Sequence, residues 1–250
     1  MASDRSHVST NIDFEQAGFQ TGTLRVPHSV DRSAHGHIPT PIAMLKRGNG
    51  PTALLTGGNH GDEYEGPIAL MKLLQRMPSM QINGRLIVVA SLNFPAFLAG
   101  RRTSPIDAAN MNRIFPGCRD GTITEMIAHY VDTELSLRAN FVFDIHSGGA
   151  SFDHLPTLLI APPADVDRRR EYRRIVEAFA APNAMVMDLL GEDRTYGADI
   201  ERQGKMFLCG ESGGYATCNP AGLATVEEGL HRMLAFSNFW VIAGIYTVSF

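Results

Sequence analysis

The chain has 250 residues, of which 44% are hydrophobic and 19% charged, and its formal net charge is −4 at pH 7. That length predicts one large globular domain with a well-buried core, and the negative charge excludes an electrostatic attraction to nucleic acid or to an acidic membrane surface. The 3 cysteines lack CxxC spacing, residues 1–11 are too polar for a signal peptide, and no apolar stretch reaches membrane-spanning length. We therefore expect a cytoplasmic protein with no nucleic-acid or membrane partner.

Strand-like and helix-like runs alternate along the chain from residue 41 onward. Residues 1–40 are expected to form strands and loops packed on a main domain of residues 41–250. The predicted strands are 41–45, 52–56, 85–91, 141–145, 157–161, 184–187 and 205–209, and the predicted helices are 67–76, 122–137, 165–180 and 221–235. Thr122 and Glu125 have capping-box spacing at the start of the second helix. The alternation predicts an α/β fold, a mostly parallel or mixed sheet flanked by helices.

A glycine-rich turn, residues 57–63, follows the predicted strand 52–56 and has the sequence GGNHGDE. It places His60 and Glu63 at the carboxyl end of a strand, where open α/β sheets bind their ligands. The glycines let the backbone turn sharply and let a substrate approach. A histidine and a carboxylate three residues apart on such a turn can bind one metal ion together, although this spacing alone is a weak signal.

A second turn of this kind, residues 144–149, has the sequence DIHSGG and places His146 at the end of another apolar strand. Together with His60 and Glu63, this histidine completes three protein ligands that leave a fourth position for water. That set is typical of a catalytic zinc site, whereas either histidine alone would more often be structural. Asp144 either hydrogen-bonds the free nitrogen of a ligand histidine or caps a nearby backbone turn.

A third glycine-rich stretch, residues 210–214, follows the predicted strand 205–209 and contains Glu211. A carboxylate at this strand end can reach the same crevice and act as the general base of a zinc hydrolase; the alternative is a surface turn residue. The stretch also matches the GxSxG nucleophile elbow through Ser212. Only His231 follows Ser212, and the acidic residues near it share its predicted helix, so a serine mechanism is disfavoured.

The loop of residues 100–117 is rich in arginine and asparagine and has neither helical nor strand periodicity. A long structured loop is more often functional than idle. An arginine fork suits a carboxylate, and a second arginine can stabilise an oxyanion. The alternative is a loop fastened by surface pairs between arginine and Asp107 or Asp120.

The motifs GNHGDE, NMNRIFPG, DIHSGG and GES occur in this order within residues 41–235. In combination they are specific, and the chain resembles the succinylglutamate desuccinylase/aspartoacylase family of zinc carboxypeptidase-like enzymes. The resemblance implies a carboxypeptidase-like α/β fold with one Zn²⁺ per chain. The site residues that it implies are His60, Glu63 and His146 as metal ligands, Glu211 as general base, Asn112 and Arg113 as ligands of the substrate α-carboxylate, and Arg102 as the group that polarises the scissile carbonyl.

The sequence around these motifs, which includes RTSPID and TEMIAHY, is most similar to the ectoine-utilisation deacetylases of that family. These enzymes remove acetate from N-acetyl-L-2,4-diaminobutyrate. The implied activity is therefore zinc-dependent hydrolysis of the amide bond of a small N-acyl amino acid. A metallocarboxypeptidase, another N-acyl amino acid deacylase and a truncated zinc-binding remnant without activity are the alternatives. Related deacylases continue into a β-rich C-terminal segment that is expected to be missing here. The apolar stretch 239–250 is expected either to pack as a last helix-to-strand segment or to end before its natural partner surface, and the second is favoured. An exposed apolar stretch leaves a homo-oligomer open.

Overall fold

The computed structural model describes residues 5–162 and 165–235, and a single sheet of nine strands forms the centre of this part of the chain. The strands are β1 (Ser9–Thr10), β2 (Gly18–Pro27), β3 (His37–Arg47), β4 (Thr52–Gly57), β5 (Gly84–Val89), β6 (Phe141–His146), β7 (Asp153–Ile160), β8 (Asn183–Val186) and β9 (Met206–Gly214). The helices are α1 (Glu65–Arg76), α2 (Phe94–Ala99), α3 (Ile123–Tyr130), α4 (Val166–Phe179), α5 (Tyr196–Arg202) and α6 (Pro220–Ala235). None of these helices combines the length and the apolar character needed to cross a membrane.

The strands lie in the order β1–β2–β3–β5–β4–β6–β9–β7–β8. The central strands β5, β4, β6 and β9 are parallel to one another, and antiparallel pairing joins β3 to β5 on one side and β7 to β9 on the other. Every residue of β4 and of β6 is buried, because helices cover both faces of the sheet centre. The predicted mixed sheet flanked by helices is confirmed.

Helices on the two faces of the sheet bury two apolar cores. On one face α1, α4 and α6 contribute Leu70, Phe179 and Leu230 to the core. On the other face α3 and α5 contribute Ile127 and Tyr196, which pack with side chains of the N-terminal strands. This arrangement leaves the carboxyl ends of the parallel strands as an open edge between the two helical layers.

Each predicted helix and strand is present close to its predicted place, but the sequence did not reveal α2 or α5. The capping box of Thr122 and Glu125 starts α3, which continues as a wider π-helical turn, Val131–Ser136. The division drawn at residue 40 falls inside β3, so the N-terminal strands belong to the same sheet as the main domain. The apolar stretch 239–250 lies outside the described residues.

Candidate active site

The turn between β4 and α1 depends on glycine at two positions. Gly58 has a φ of +67°, which residues with a side chain rarely adopt. A Cβ atom at Gly61 would lie 2.0 Å from the carbonyl carbon of Ala96, in the first turn of α2. The backbone therefore passes close under α2, and this path brings His60 and Glu63 to the edge of the sheet where His146 ends β6.

His60, Glu63 and His146 form a buried cluster at this edge, and their ligand atoms all lie within 4.8 Å of one another. Glu63 lies between the histidines: its Oε1 is 2.6 Å from Nδ1 of His60 and its Oε2 is 2.8 Å from Nδ1 of His146. The ring centroids of the two histidines are 5.1 Å apart. The structure thus brings together the three side chains that the sequence nominated as metal ligands.

Side chains behind the cluster hold the two imidazole rings by their other nitrogens. Nε2 of His146 lies 2.8 Å from Oδ2 of Asp144, so the hydrogen-bonding alternative for this aspartate is the observed one. Asn59 also donates to Asp144, at 2.9 Å. Nε2 of His60 lies 3.1 Å from Oδ1 of Asn110, a partner that the sequence did not reveal. Each ring is therefore fixed with Nδ1 directed at Glu63.

The charges of the cluster stabilise one another. Burial alone would raise the pKa of Glu63, but the charge of His146 and hydrogen bonds from both histidines hold it well below its usual range. Burial alone would lower the pKa of His146, but the carboxylates of Asp144 and Glu63 raise it well above its usual value. Two anions facing one imidazole favour a further positive charge at this place, as a metal ion would supply.

The chemistry of the donor set fits one divalent metal ion. Two imidazole nitrogens and one carboxylate oxygen are ligands that zinc accepts, and three protein ligands leave a coordination position open. The hydrogen bond from Asp144 to His146 is the outer support that such histidine ligands usually have. Among the described residues, this is the one group of three or more candidate ligands that could hold a metal ion.

Glu211 lies beside the cluster. The sequence placed it just after the end of a strand, whereas the structure places it within β9. β9 runs on to Gly214 because β7 pairs with it beyond Glu211, and this glutamate is the register partner of His146. Burial, with smaller effects from Glu63 and Asp144, raises the pKa of Glu211 to about 7, although the positive charges of His146 and Arg102 oppose the rise. A carboxylate with this pKa can both take up and release a proton near neutral pH.

The arginines and asparagine nominated from the long loop reach the same place. Arg102 donates from Nη1 to Oε1 of Glu63 at 3.2 Å. Asn112 accepts from the backbone N–H of Tyr196 at 2.9 Å, which ties the loop to α5. Arg113 is half exposed, and its Nε lies 3.8 Å from the carboxylate of Glu192.

One cavity of about 410 Å³ connects all of these groups. The nominated residues that line it are His60, Glu63, Arg102, Asn112, Arg113, His146 and Glu211. His154, on β7, also lines the cavity and was not nominated, since nothing in its local sequence marks it. A volume of this size suits a small molecule.

The disfavoured serine mechanism has no support in the fold. Ser212 is buried within β9 rather than exposed on a strand-to-helix turn. Neighbouring residues of a strand face opposite sides of a sheet, so Ser212 is turned away from the side of Glu211. His231 is on α6 and lines a different cavity.

Comparison with known proteins decides the family. Residues 49–237 match the succinylglutamate desuccinylase/aspartoacylase catalytic domain. The chain belongs to this family. It is 45% identical over 229 residues to the N-alpha-acetyl-L-2,4-diaminobutyric acid deacetylase of Halomonas elongata, a match that covers 92% of this chain and 67% of that protein. The expectation of an enzyme that hydrolyses amide bonds is confirmed.

Solved structures of family members share the fold over nearly the whole chain. A succinylglutamate desuccinylase from a Silicibacter species has a TM-score of 0.89 at 36% identity, covering 98% of this chain and 73% of that one. The product-bound ectoine utilization protein EutE (DoeB) from Ruegeria pomeroyi has a TM-score of 0.88 at 38% identity, covering 97% of this chain and 72% of that one. A metallo-carboxypeptidase from Burkholderia cenocepacia shares the fold alone. Its TM-score is 0.67 at 14% identity, covering 88% of this chain and 64% of that one.

Proposed function

We propose that this protein is a zinc-dependent deacetylase that hydrolyses the amide bond of N-acetyl-L-2,4-diaminobutyrate, a step of ectoine degradation. The observation that carries the proposal is the buried group of His60, Glu63 and His146, which shares one cavity with the high-pKa carboxylate of Glu211. The similarity to the Halomonas elongata deacetylase supports the choice of substrate, since this chain matches 229 residues of it at 45% identity.

The proposed metal ligands are His60, Glu63 and His146, and a zinc ion held by them would supply the Lewis acid that the hydrolysis of an amide needs. Glu211 takes the proton of the attacking water and passes it to the leaving nitrogen. Its pKa of about 7 suits both transfers, because the carboxylate is partly ionised at neutral pH and its conjugate acid is still a good donor. The products are acetate and a free amine.

Three further side chains are proposed to hold the substrate. Asn112 and Arg113 bind its α-carboxylate. The guanidinium of Arg113 lines the cavity and is half exposed; it donates to the carbonyl of Asn112 at 2.6 Å, and among the described residues its ion pair is a long one, to Glu192 at 3.8 Å. Arg102 polarises the scissile carbonyl, since its guanidinium lies 3.2 Å from a proposed metal ligand, Glu63. A positive group at that point stabilises the negative charge that develops on the carbonyl oxygen.

The test is acetate release from N-acetyl-L-2,4-diaminobutyrate, with zinc measured on the same sample and a chelator-treated control. We expect chelator-sensitive release and about one zinc per chain. Release of a C-terminal residue from a peptide, without acetate release, would instead favour a metallocarboxypeptidase. Zinc without turnover of any N-acyl amino acid would favour the inactive zinc-binding protein, and absence of zinc would refute the ligand assignment.

A further inference from the structure

One oxygen of Glu211 is buried without a hydrogen bond from the described part of the chain. Its carboxylate lies within β9, and Oε2 accepts no hydrogen bond from any described residue. Leaving a buried carboxylate oxygen without a donor is costly, and a carboxylate that accepts no hydrogen bond there is free to rotate. A general base needs the opposite, since proton transfer depends on holding the reacting oxygen within about 0.5 Å of its place.

A break in the register of the neighbouring strand brings one histidine to this oxygen. Thr157 of β7 pairs with Glu211 and His154 pairs with Gly213, so three steps along β7 match two steps along β9. In a regular ladder Leu155 would stand opposite Gly213 and share a face with Glu211. The bulge turns Leu155 outward, where it is 75% exposed, and turns His154 to the side of the carboxylate.

The two side chains consequently face each other across the cavity. Nε2 of His154 lies 3.7 Å from Oε2 of Glu211, and both residues line the same cavity as His60, Glu63 and His146. The ring of Phe152, the residue just before β7, has its centroid 6.1 Å from that of His154. A separation of 3.7 Å exceeds the usual donor–acceptor distance of a hydrogen bond by less than 1 Å. Hydrogen bonds of catalytic groups often shorten only when substrate is bound.

We infer that His154 is a positioning residue for the general base: its Nε2–H donates to Oε2 of Glu211 and leaves the other carboxylate oxygen to face the reacting atoms. The inference rests on the proposed function of Glu211. Among the described residues, no hydrogen bond or ion pair joins His154 to the nominated metal ligands or to the residues proposed to bind the α-carboxylate; its ion pair is with Glu211. Its loss should therefore lower kcat while leaving KM and the metal content unchanged.

The test compares H154L, which removes the donor, with H154Q, which keeps an N–H group near the position of Nε2. H37L is the matched control, because His37 is an exposed histidine on the distant strand β3. With wild-type acetate release as reference, we expect H154L to lower kcat about tenfold, the factor that corresponds to a lost hydrogen bond of 1.4 kcal/mol. H154Q should stay within about threefold of wild type by the same scale, and H37L should be unchanged.

A kcat of H154L equal to that of an active wild type would overturn the inference and leave the proposed function intact. Equal impairment of H154L and H154Q, or a rise in KM or loss of zinc in H154L, would also overturn it, because any of these indicates a structural or substrate-binding role. NMR of the zinc-loaded protein gives a test without turnover, with the His154 signal assigned from H154Q. Replacing Glu211 by Gln should shift the imidazole signals of His154 at one fixed pH, because the group facing Nε2 changes, and unchanged signals would contradict the contact.

Discussion

Replacing Asp144 by asparagine should weaken the proposed zinc binding although none of the proposed ligands is replaced. Asp144 is fully buried, and its carboxylate faces the Thr56 hydroxyl at 2.6 Å, the Asn59 amide at 2.9 Å and Nε2 of His146 at 2.8 Å. When all three groups donate, the proton of His146 stays on Nε2 and Nδ1 is free to coordinate. Asp144 therefore sets the tautomer of His146 as well as the orientation of its ring.

Asparagine offers one acceptor and one donor where aspartate offers two acceptors, and its orientation sets the size of the effect. With the amide NH₂ toward Thr56, the hydroxyl can accept, the tautomer survives and only the negative charge behind the imidazole is lost. With the NH₂ toward His146, the proton moves to Nδ1 and that nitrogen cannot coordinate. We expect zinc affinity to fall about 10-fold in the first case and about 100-fold in the second, or roughly 1.4 to 2.8 kcal/mol.

The assay is competition with a chromophoric chelator at one fixed pH, on wild type, D144N and the control D167N, since Asp167 is exposed on α4. Circular dichroism on the same samples separates weakened metal binding from unfolding. A folded D144N protein whose zinc affinity equals that of wild type would refute the argument that Asp144 fixes the tautomer of His146. Weakened binding in D167N would show that the change reflects net charge rather than the buried contact.

Three other substitutions give separate tests. E211Q should keep the metal but lower kcat at least 10²-fold, measured as acetate release beside zinc content, since Gln accepts no proton; retained activity would remove Glu211 as the base. R113A should raise KM about tenfold for substrate with a free α-carboxylate, as expected for a lost ion pair worth about 1.4 kcal/mol, and leave KM for the methyl ester unchanged. Equal effects on the KM values of acid and ester would contradict the assignment. Burial, followed by the charge of Asp199, raises the pKa of Asp132 to about 7. Between pH 4 and 7, roughly, Asp132 is therefore protonated in the folded state and ionised in the unfolded state. The free energy of unfolding consequently falls as the pH rises through this range. D132N should therefore stabilise the protein by about 1 kcal/mol more at pH 8 than at pH 5 in urea titrations, a value reduced for partial exposure; an equal gain at both pH values would refute the raised pKa.

The group of His60, Glu63 and His146 could be predicted from sequence because its geometry is largely local. The turn that carries His60 and Glu63 needs glycine where φ is positive, at Gly58, and where the backbone passes close to α2, at Gly61. Buried parallel strands are continuous apolar runs, so the ends of β4 and β6 are visible in the sequence. Once both strands are placed in one parallel sheet, their carboxyl ends lie at the same edge and His146 follows.

The surroundings of Glu211 depend on long-range pairing, which leaves little trace in the local sequence. The glycines at 210, 213 and 214 suggest a turn, yet β9 continues through them because the antiparallel β7 supplies partners as far as Gly214. The bulge in β7 decides whether His154 or Leu155 faces the carboxylate, and a shift of one residue exchanges the two faces of a strand. A motif can therefore nominate Glu211 as a general base, but the register of two strands distant in sequence determines which side chain stands beside it.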